Sequence, residues 1–331
     1  MPRLTHSLIL LLLAVLIGCS REAPPAPAAA RQAIALALPN HPTSALVLVA
    51  LDRGLFTKQG LDVQVQHYPS GKRAIEESLL AGHADLAVST DTPVALAALQ
   101  HPEIRVLASI MRTDSVSRIV ARRDLGIDTP ADLRGKPIAT QVASSVHFFL
   151  HQFLLEQELS DKDVKLQFRR IEDLPDALVS GQVAAISTRE PYISQCRAKL
   201  GDRLRLFSAR GLYQQIEMLL TTEAFLRAHP AVGRGLLAAL LEAEAFANQQ
   251  PAQARAIVAR RLNMTPEAVA AILPGYDLRV ALPQSLLTLL EDETRWAVDN
   301  GLATGPVPDF LTILSPQALT ELAPERVTLI R

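Results

Sequence analysis

Apolar positions along this chain fall into two alternating rhythms, short continuous runs and one-sided helical stripes. Ala33–Leu38 (AIALAL) is the run of a buried strand, broken by Pro39-Asn40-His41-Pro42. Thr43 or Ser44 then caps a helix that reaches Arg53, with Gly54 as its stop. Asp62–His67 alternates apolar and polar residues, as a half-exposed strand does. Tyr68-Pro69-Ser70-Gly71 turns the chain into a helix over 72–81, with Ile75, Leu79 and Leu80 on one face. Leu86-Ala87-Val88 predicts a third strand. Thr92-Pro93 opens the next helix, threonine as N-cap and proline at the first helical position, and His101-Pro102 ends it.

The pattern restarts at Pro130–Thr140, which reads as a short helix, a turn and a strand. Ser144 or Ser145 caps an amphipathic helix whose Val146, Phe149, Leu150, Phe153 and Leu154 fall on one face. Val164, Leu166 and Phe168 alternate on a strand, 173–181 is a helix, and 184–187 a strand. Beyond residue 222 the pattern turns helical, over 223–229, 231–249, 251–262, 265–273 and 283–300. Strands separated by helices of about ten residues imply parallel pairing through right-handed crossovers. The expected fold is α/β, two lobes that each hold a mostly parallel sheet flanked by helices, with a helical C-terminal tail.

The first residues follow another logic. Arg3 precedes an apolar run from Leu8 to Ile17, about half the roughly 20 residues a membrane span needs. The run closes on Leu16-Ile17-Gly18-Cys19, which resembles a bacterial lipoprotein signal with its lipobox. That resemblance implies removal of residues 1–18, lipidation of Cys19 and attachment to a bacterial membrane on the periplasmic side. A plain secretory signal with a chance cysteine is the alternative. Residues 19–32 are rich in proline and alanine without an apolar face, which suits a tether.

Composition narrows the function. Of 331 residues, 49% are hydrophobic and only 4% aromatic, so the cores are aliphatic. Formal net charge is −1 with no basic run, which argues against nucleic acid. With Cys19 lipidated, Cys196 stands alone and reads as a small core residue rather than a nucleophile. No CxxC or HExxH spacing occurs, and no metal or cofactor is expected.

Four stretches, in order, carry a family resemblance. They are Ala50-Leu51-Asp52-Arg53-Gly54-Leu55-Phe56 with Gly60-Leu61-Asp62-Val63; Ser70-Gly71 with Leu79-Leu80-Ala81-Gly82-His83-Ala84-Asp85-Leu86-Ala87; Thr129–Ala139; and Glu190-Pro191-Tyr192. Together they resemble the periplasmic solute-binding proteins of ABC importers, in the type II branch for sulfonates, taurine, nitrate and thiamine-pyrimidine precursors. The resemblance spans roughly residues 33–250. It implies a clamshell with lobe 1 over 33–115 plus 212–331 and lobe 2 over 116–211. Crossings would fall near 110–116 and 208–214. It also implies a small-molecule ligand between the lobes, an inner-membrane permease as partner, and a monomer. The chain departs from the family at Thr188-Arg189, where a tryptophan is usual.

Ligands of open α/β sheets bind beyond the C-terminal strand ends. That rule selects loops 39–44, 68–72, 89–92, 141–146 and 188–192, and with them Asn40, His41, Ser70, Ser89, Thr90, Asp91, Gln141, Ser144, Ser145, Arg189, Glu190 and Tyr192. Hydroxyls and free N–H groups at helix starts attract anionic head groups, though ordinary capping accounts for them too. Arg189, or Arg112 at the first crossing, suits a sulfonate or other oxyanion. Glu190 or Asp91 suits an amine; surface ion pairing is the alternative reading of each of these four charges. Tyr68 and Tyr192 are placed to stack on a flat ligand, and His41 and His147 to donate hydrogen bonds. The leading function is capture of a small polar, anionic organic solute for import. The alternatives are a ligand sensor uncoupled from transport, and an enzyme related to pyrimidine-precursor synthases. The last is disfavoured because the cysteine- and histidine-rich segment of those synthases is missing.

Overall fold

The computed structural model describes residues 31–330. The signal segment, Cys19 and residues 19–30 of the tether lie outside the described residues. The strands are β1 (Gln32–Pro39), β2 (Leu61–Tyr68), β3 (Leu86–Thr90), β4 (Ile104–Thr113), β5 (Arg118–Arg122), β6 (Pro137–Thr140), β7 (Lys165–Phe168), β8 (Ala185–Thr188), β9 (Leu204–Phe207) and β10 (Gln215–Thr222). They form two five-stranded sheets, ordered β2-β1-β3-β10-β4 and β7-β6-β8-β5-β9. The chain passes from one sheet to the other between β4 and β5, and returns between β9 and β10.

Each sheet is mixed. β1 pairs in parallel with β2 and β3, and β6 with β7 and β8, as strand–helix–strand units require. β10 runs antiparallel to β3 and β4, and β5 antiparallel to β8 and β9. The antiparallel strands belong to the crossings. In each sheet the strand that arrives directly from the other sheet, β5 or β10, runs against the rest.

The apolar stripes end up where their spacing placed them. Val146, Phe149, Leu150, Phe153 and Leu154 of the helix Ser145–Glu156 are all buried. Each side chain of this size contributes about 2 kcal/mol by leaving water. β5 shows the period of two. Its Ile119 and Ala121 enter one second-lobe core with Phe149 and Phe153, while Val120 enters the other with Ile186 and Cys196. The first-lobe core is aliphatic, built on Leu36, Leu38, Leu46, Leu48, Leu86 and Ile110. At Gly54 the backbone turns left-handed (φ 65°) between the helices Ala45–Asp52 and Leu55–Lys58, which only glycine does without strain.

Two local readings change. The helix after β2 is α-helical only over Gly71–Ala74, then widens to a π turn over Ile75–Leu79, where Leu80 N–H bonds to Ile75 O at 2.9 Å. The helix after β3 starts at Asp91, not beyond a Thr92 cap. The Thr92 hydroxyl donates instead to Glu293 at 2.6 Å, and Asp91 Oδ1 takes the Thr92 N–H at 2.9 Å. Glu293 arrives on the helix Gln284–Asp299, which packs along Asp91–Gln100 and sends Trp296 into the second-lobe core.

Candidate functional site

The ends of β1, β2, β3, β6 and β8 and the start of β10 converge on one cleft. His41 and Thr43 follow β1, Ser70, Gly71 and Lys72 follow β2, and Thr90 ends β3. From the second lobe come Gln141, Ser144 and Ser145 after β6 and Arg189 after β8. Gln215 and Glu217 of β10 complete the wall. The lobes are closed on each other. Ser145 Oγ lies within hydrogen-bond distance of Thr90 Oγ1 at 2.7 Å and of Asp91 Oδ1 at 3.1 Å. Gln141 Nε2 reaches Ser70 Oγ, and Arg189 Nη2 reaches Pro69 O, each at 3.4 Å. The space left inside is about 20 Å³, on the order of one water.

That small space is surrounded by polar atoms without partners. His41 Nε2, Gln141 Oε1, Gln215 Oε1 and Glu217 Oε2 are buried and unbonded. Native interiors seldom leave such groups unpaired, so four around one cavity mark a place prepared for an occupant. His41 Nδ1 accepts the Thr43 N–H at 3.2 Å, which puts the ring proton on Nε2 and makes it a donor. Burial, helped by Arg189, holds this imidazole neutral well below its usual range. Arg189 is half-buried, with that one hydrogen bond and no ion pair among the described residues. Burial lowers its pKa; the fields of Tyr192, Glu217 and Tyr276 oppose the effect. Burial pushes Glu217 up to about 7, although hydrogen bonds from Thr43 and Ser44 and the charge of Arg189 act against it. Ser144 holds the N-cap position of Ser145–Glu156 but makes no capping bond; its hydroxyl donates to Gln141 O at 2.6 Å.

Of the residues singled out by sequence, His41, Ser70, Thr90, Gln141, Ser144, Ser145 and Arg189 line the cleft. Five others do not. Asn40 is exposed beside it. Ser89 is fully buried behind Gly71. Asp91 is buried in the wall, where its carboxylate takes Tyr213 Oη at 2.5 Å and Ile216 N–H at 2.8 Å. Glu190 faces a different cavity and accepts the Ser194 N–H at 3.0 Å. Tyr192 is absorbed into the second-lobe core. Tyr68 leans on the first-lobe core, Arg112 pairs with Asp277 at 2.5 Å, and His147 stacks edge-on against Trp296. None of these three lines the cleft. Cys196 is buried, and burial pushes its thiol up to about 11, the state of an inert core cysteine. Sequence reasoning missed Thr43, Gln215 and Glu217. The available signal was one acidic residue inside the apolar run Ile216–Leu220. Among the described residues, no group of three or more His, Cys, Asp or Glu side chains is placed to hold a metal, and no helix is long and apolar enough to cross a membrane.

A closed two-lobed α/β clamshell with a polar cleft at its strand ends is the architecture of the periplasmic binding proteins, and solved structures share it. The aliphatic sulphonate binding protein SsuA of Escherichia coli superposes with a TM-score of 0.71 at 20% identity, covering 87% of this chain and 99% of that one. The alkanesulfonate-binding protein SsuA of Xanthomonas axonopodis pv. citri, bound to MOPS, gives 0.72 at 20% identity over 88% and 99%. The desulfurization enzyme DSZB gives 0.65 at 18% identity over 89% and 100%. A search of curated proteins finds no match. The family model described as NMT1/THI5 like matches residues 41–254, and the chain belongs to that family.

Proposed function

We propose that this protein is the solute-binding component of an ABC importer and that its ligand is a small organic solute with an oxyanionic head. The fold alone does not decide this, because both binding proteins and an enzyme carry it. The observation that carries the reading is Arg189, a half-buried guanidinium that makes no ion pair among the described residues and lines a cleft shared by both lobes. A sulfonate, carboxylate or similar group would supply the missing acceptors in charge-assisted hydrogen bonds. His41 Nε2–H would add a donor. In this reading residues 33–115 plus 212–331 move against 116–211, and closure completes the site. The SsuA proteins bind sulphonates by their own descriptions, which supports the same ligand class here. Lipidation at Cys19, a permease partner, a monomeric state and a periplasmic position complete the proposal.

Glu217 favours a second reading, a ligand that also carries an ammonium or N–H group. Its Oε2 is unbonded in the same cavity as Arg189. A zwitterion would satisfy both ends.

The test is calorimetric and thermal titration with alkanesulfonates, taurine, nitrate, bicarbonate, phosphonates, carboxylates and aminopyrimidines. A ligand at ~100 times its Kd adds about 2.7 kcal/mol to the folded state, a readable shift. Saturable binding of an anion that is lost in Arg189→Gln is expected. Folded, ligand-free protein that responds to no compound, or an Arg189→Gln variant that binds as the wild type does, would overturn the reading.

A further inference from the structure

A second cavity of about 440 Å³ lies beside the two segments that connect the sheets. Its walls come from every part that meets there. Ser115 and Arg118 belong to the first crossing and the start of β5, and Arg210 to the second crossing. Glu190 and Arg197 come from the second lobe, Gly275 and Tyr276 from the C-terminal part of the first. Three arginines therefore line one space together with a single acidic residue.

The arginines elsewhere mostly have counterions. Arg73, Arg105, Arg122, Arg260 and Arg326, for example, all sit within ion-pair distance of an acidic side chain. Arg118, Arg197 and Arg210 form no ion pair among the described residues. Arg118 Nη1 donates to Ser117 O at 2.8 Å. Glu190 already accepts the Ser194 N–H, and nearby Asp114 accepts the Gly211 N–H at 3.0 Å. Burial, then the charge of Arg210, lowers the pKa of Arg118, while Tyr276, Asp114 and Glu190 counter it. Like charges held together cost free energy unless an anion joins them, and guanidinium forks bind planar oxyanions in pairs. Tyr276 borders this cavity and is buried; burial raises its pKa, and the charges of Glu217, Arg189, Glu190 and Arg118 all reach its phenol.

We propose that the Arg118–Arg197–Arg210 cavity is a second binding site, separate from the cleft, for a multivalent oxyanion of the di- or tricarboxylate or phosphate class. Its volume suits a small organic molecule. Its lining from both lobes and both crossings means that an occupant bridges them.

The experiment is isothermal titration of the purified full-length chain with citrate and, separately, with inorganic phosphate, at low ionic strength. The variants are Arg118→Gln/Arg210→Gln, Arg197→Gln and Arg189→Gln. Saturable binding of either probe is expected to persist in Arg189→Gln and to weaken at least tenfold in Arg118→Gln/Arg210→Gln. Which probe binds assigns carboxylate or phosphate. Arg197 is exposed on its helix, so Arg197→Gln folds regardless of the double variant and is expected to weaken binding at least threefold. No saturable binding of either probe sinks the proposal. So does binding lost in Arg189→Gln, which places the anion in the cleft, and so does full affinity in Arg197→Gln and the double variant alike.

Discussion

Arg73 of the first lobe meets Glu172 of the second, Nη1 to Oε1, at 2.9 Å. Both are part-buried, and each has a second partner, Glu77 at 2.6 Å for Arg73 and Arg170 at 2.8 Å for Glu172. The pair joins the two lobes beside Ser70 and Gln141, so the proposed opening would break it. Glu172→Gln is expected to weaken ligand affinity two- to fivefold, about 0.5–1 kcal/mol for a solvent-screened pair. The change should fall on the dissociation rate and shrink as salt is added. Stopped-flow dissociation at two ionic strengths checks this; an unchanged rate means the pair does not hold the closed state.

Glu217 predicts a pH dependence with a definite sign. Its folded pKa, about 7, is above the ordinary 4.5, so the folded protein holds a proton that the unfolded chain has released. The contribution is present in full below about 4.5 and is lost as pH rises through about 7. At about 1.4 kcal/mol per unit it is on the order of 3 kcal/mol. Glu217→Gln should flatten the ligand-free melting curve between pH 5 and pH 8 relative to wild type. Parallel profiles for the two proteins would contradict the assignment.

Gly71→Ala tests the packing of the cleft wall. An added Cβ would meet Ser89 Oγ at 2.6 Å and Ser89 Cα at 2.7 Å. The second contact is with backbone, so β3 or the turn after β2 has to shift, at a cost of about 1–3 kcal/mol. Gly235→Ala, whose Cβ finds no atom nearer than 3.4 Å, is the control and should be neutral or stabilising by up to ~1 kcal/mol. Thermal melts of both variants decide it. Equal destabilisation would remove the argument.

Asp91 is the acceptor that ties the first lobe to the second crossing and the second lobe. Asp91→Ala strips partners from Tyr213 Oη and Ile216 N–H and should cost roughly 2–4 kcal/mol. Asp91→Asn should cost less, because one oxygen remains, but its amide then opposes the Ile216 N–H. Chemical denaturation of both variants should place Asn between Ala and wild type. An Ala variant as stable as wild type would show that these bonds carry no net weight.

The sequence made visible whatever depends on local periodicity. The stripe of Val146, Phe149, Leu150, Phe153 and Leu154 announced its helix, and the alternation of Asp62–His67 announced β2. β4 and β10 stayed hidden for a physical reason. Both are buried on two faces, so IRVLASIM and QIEMLL show no period of two, and their partners lie about a hundred residues away. The same cause hid Glu217 and Gln215, which β10 delivers to the cleft from beyond the second lobe. Strand-end logic found the loops, and with them His41, Ser70, Gln141 and Arg189. It did not separate residues facing the cleft from those behind it. Ser89 and Thr90 are neighbours on β3, and the pleat sends them to opposite sides. Asp91 and Tyr192 were drawn away by buried partners that no local window contains.

The chain has a single tryptophan, Trp296. It is carried by the helix Gln284–Asp299, which packs along Asp91–Gln100, and its ring lies 5.0 Å from His147 and 5.1 Å from Phe148, with its Nε1–H unbonded. In the proposed opening, an indole in that seam would change its surroundings. Separation of the ring from His147 and Phe148 would admit water to it and redden its emission. The molecule thus carries its own optical gauge of opening, readable without a label and undiluted by any other indole.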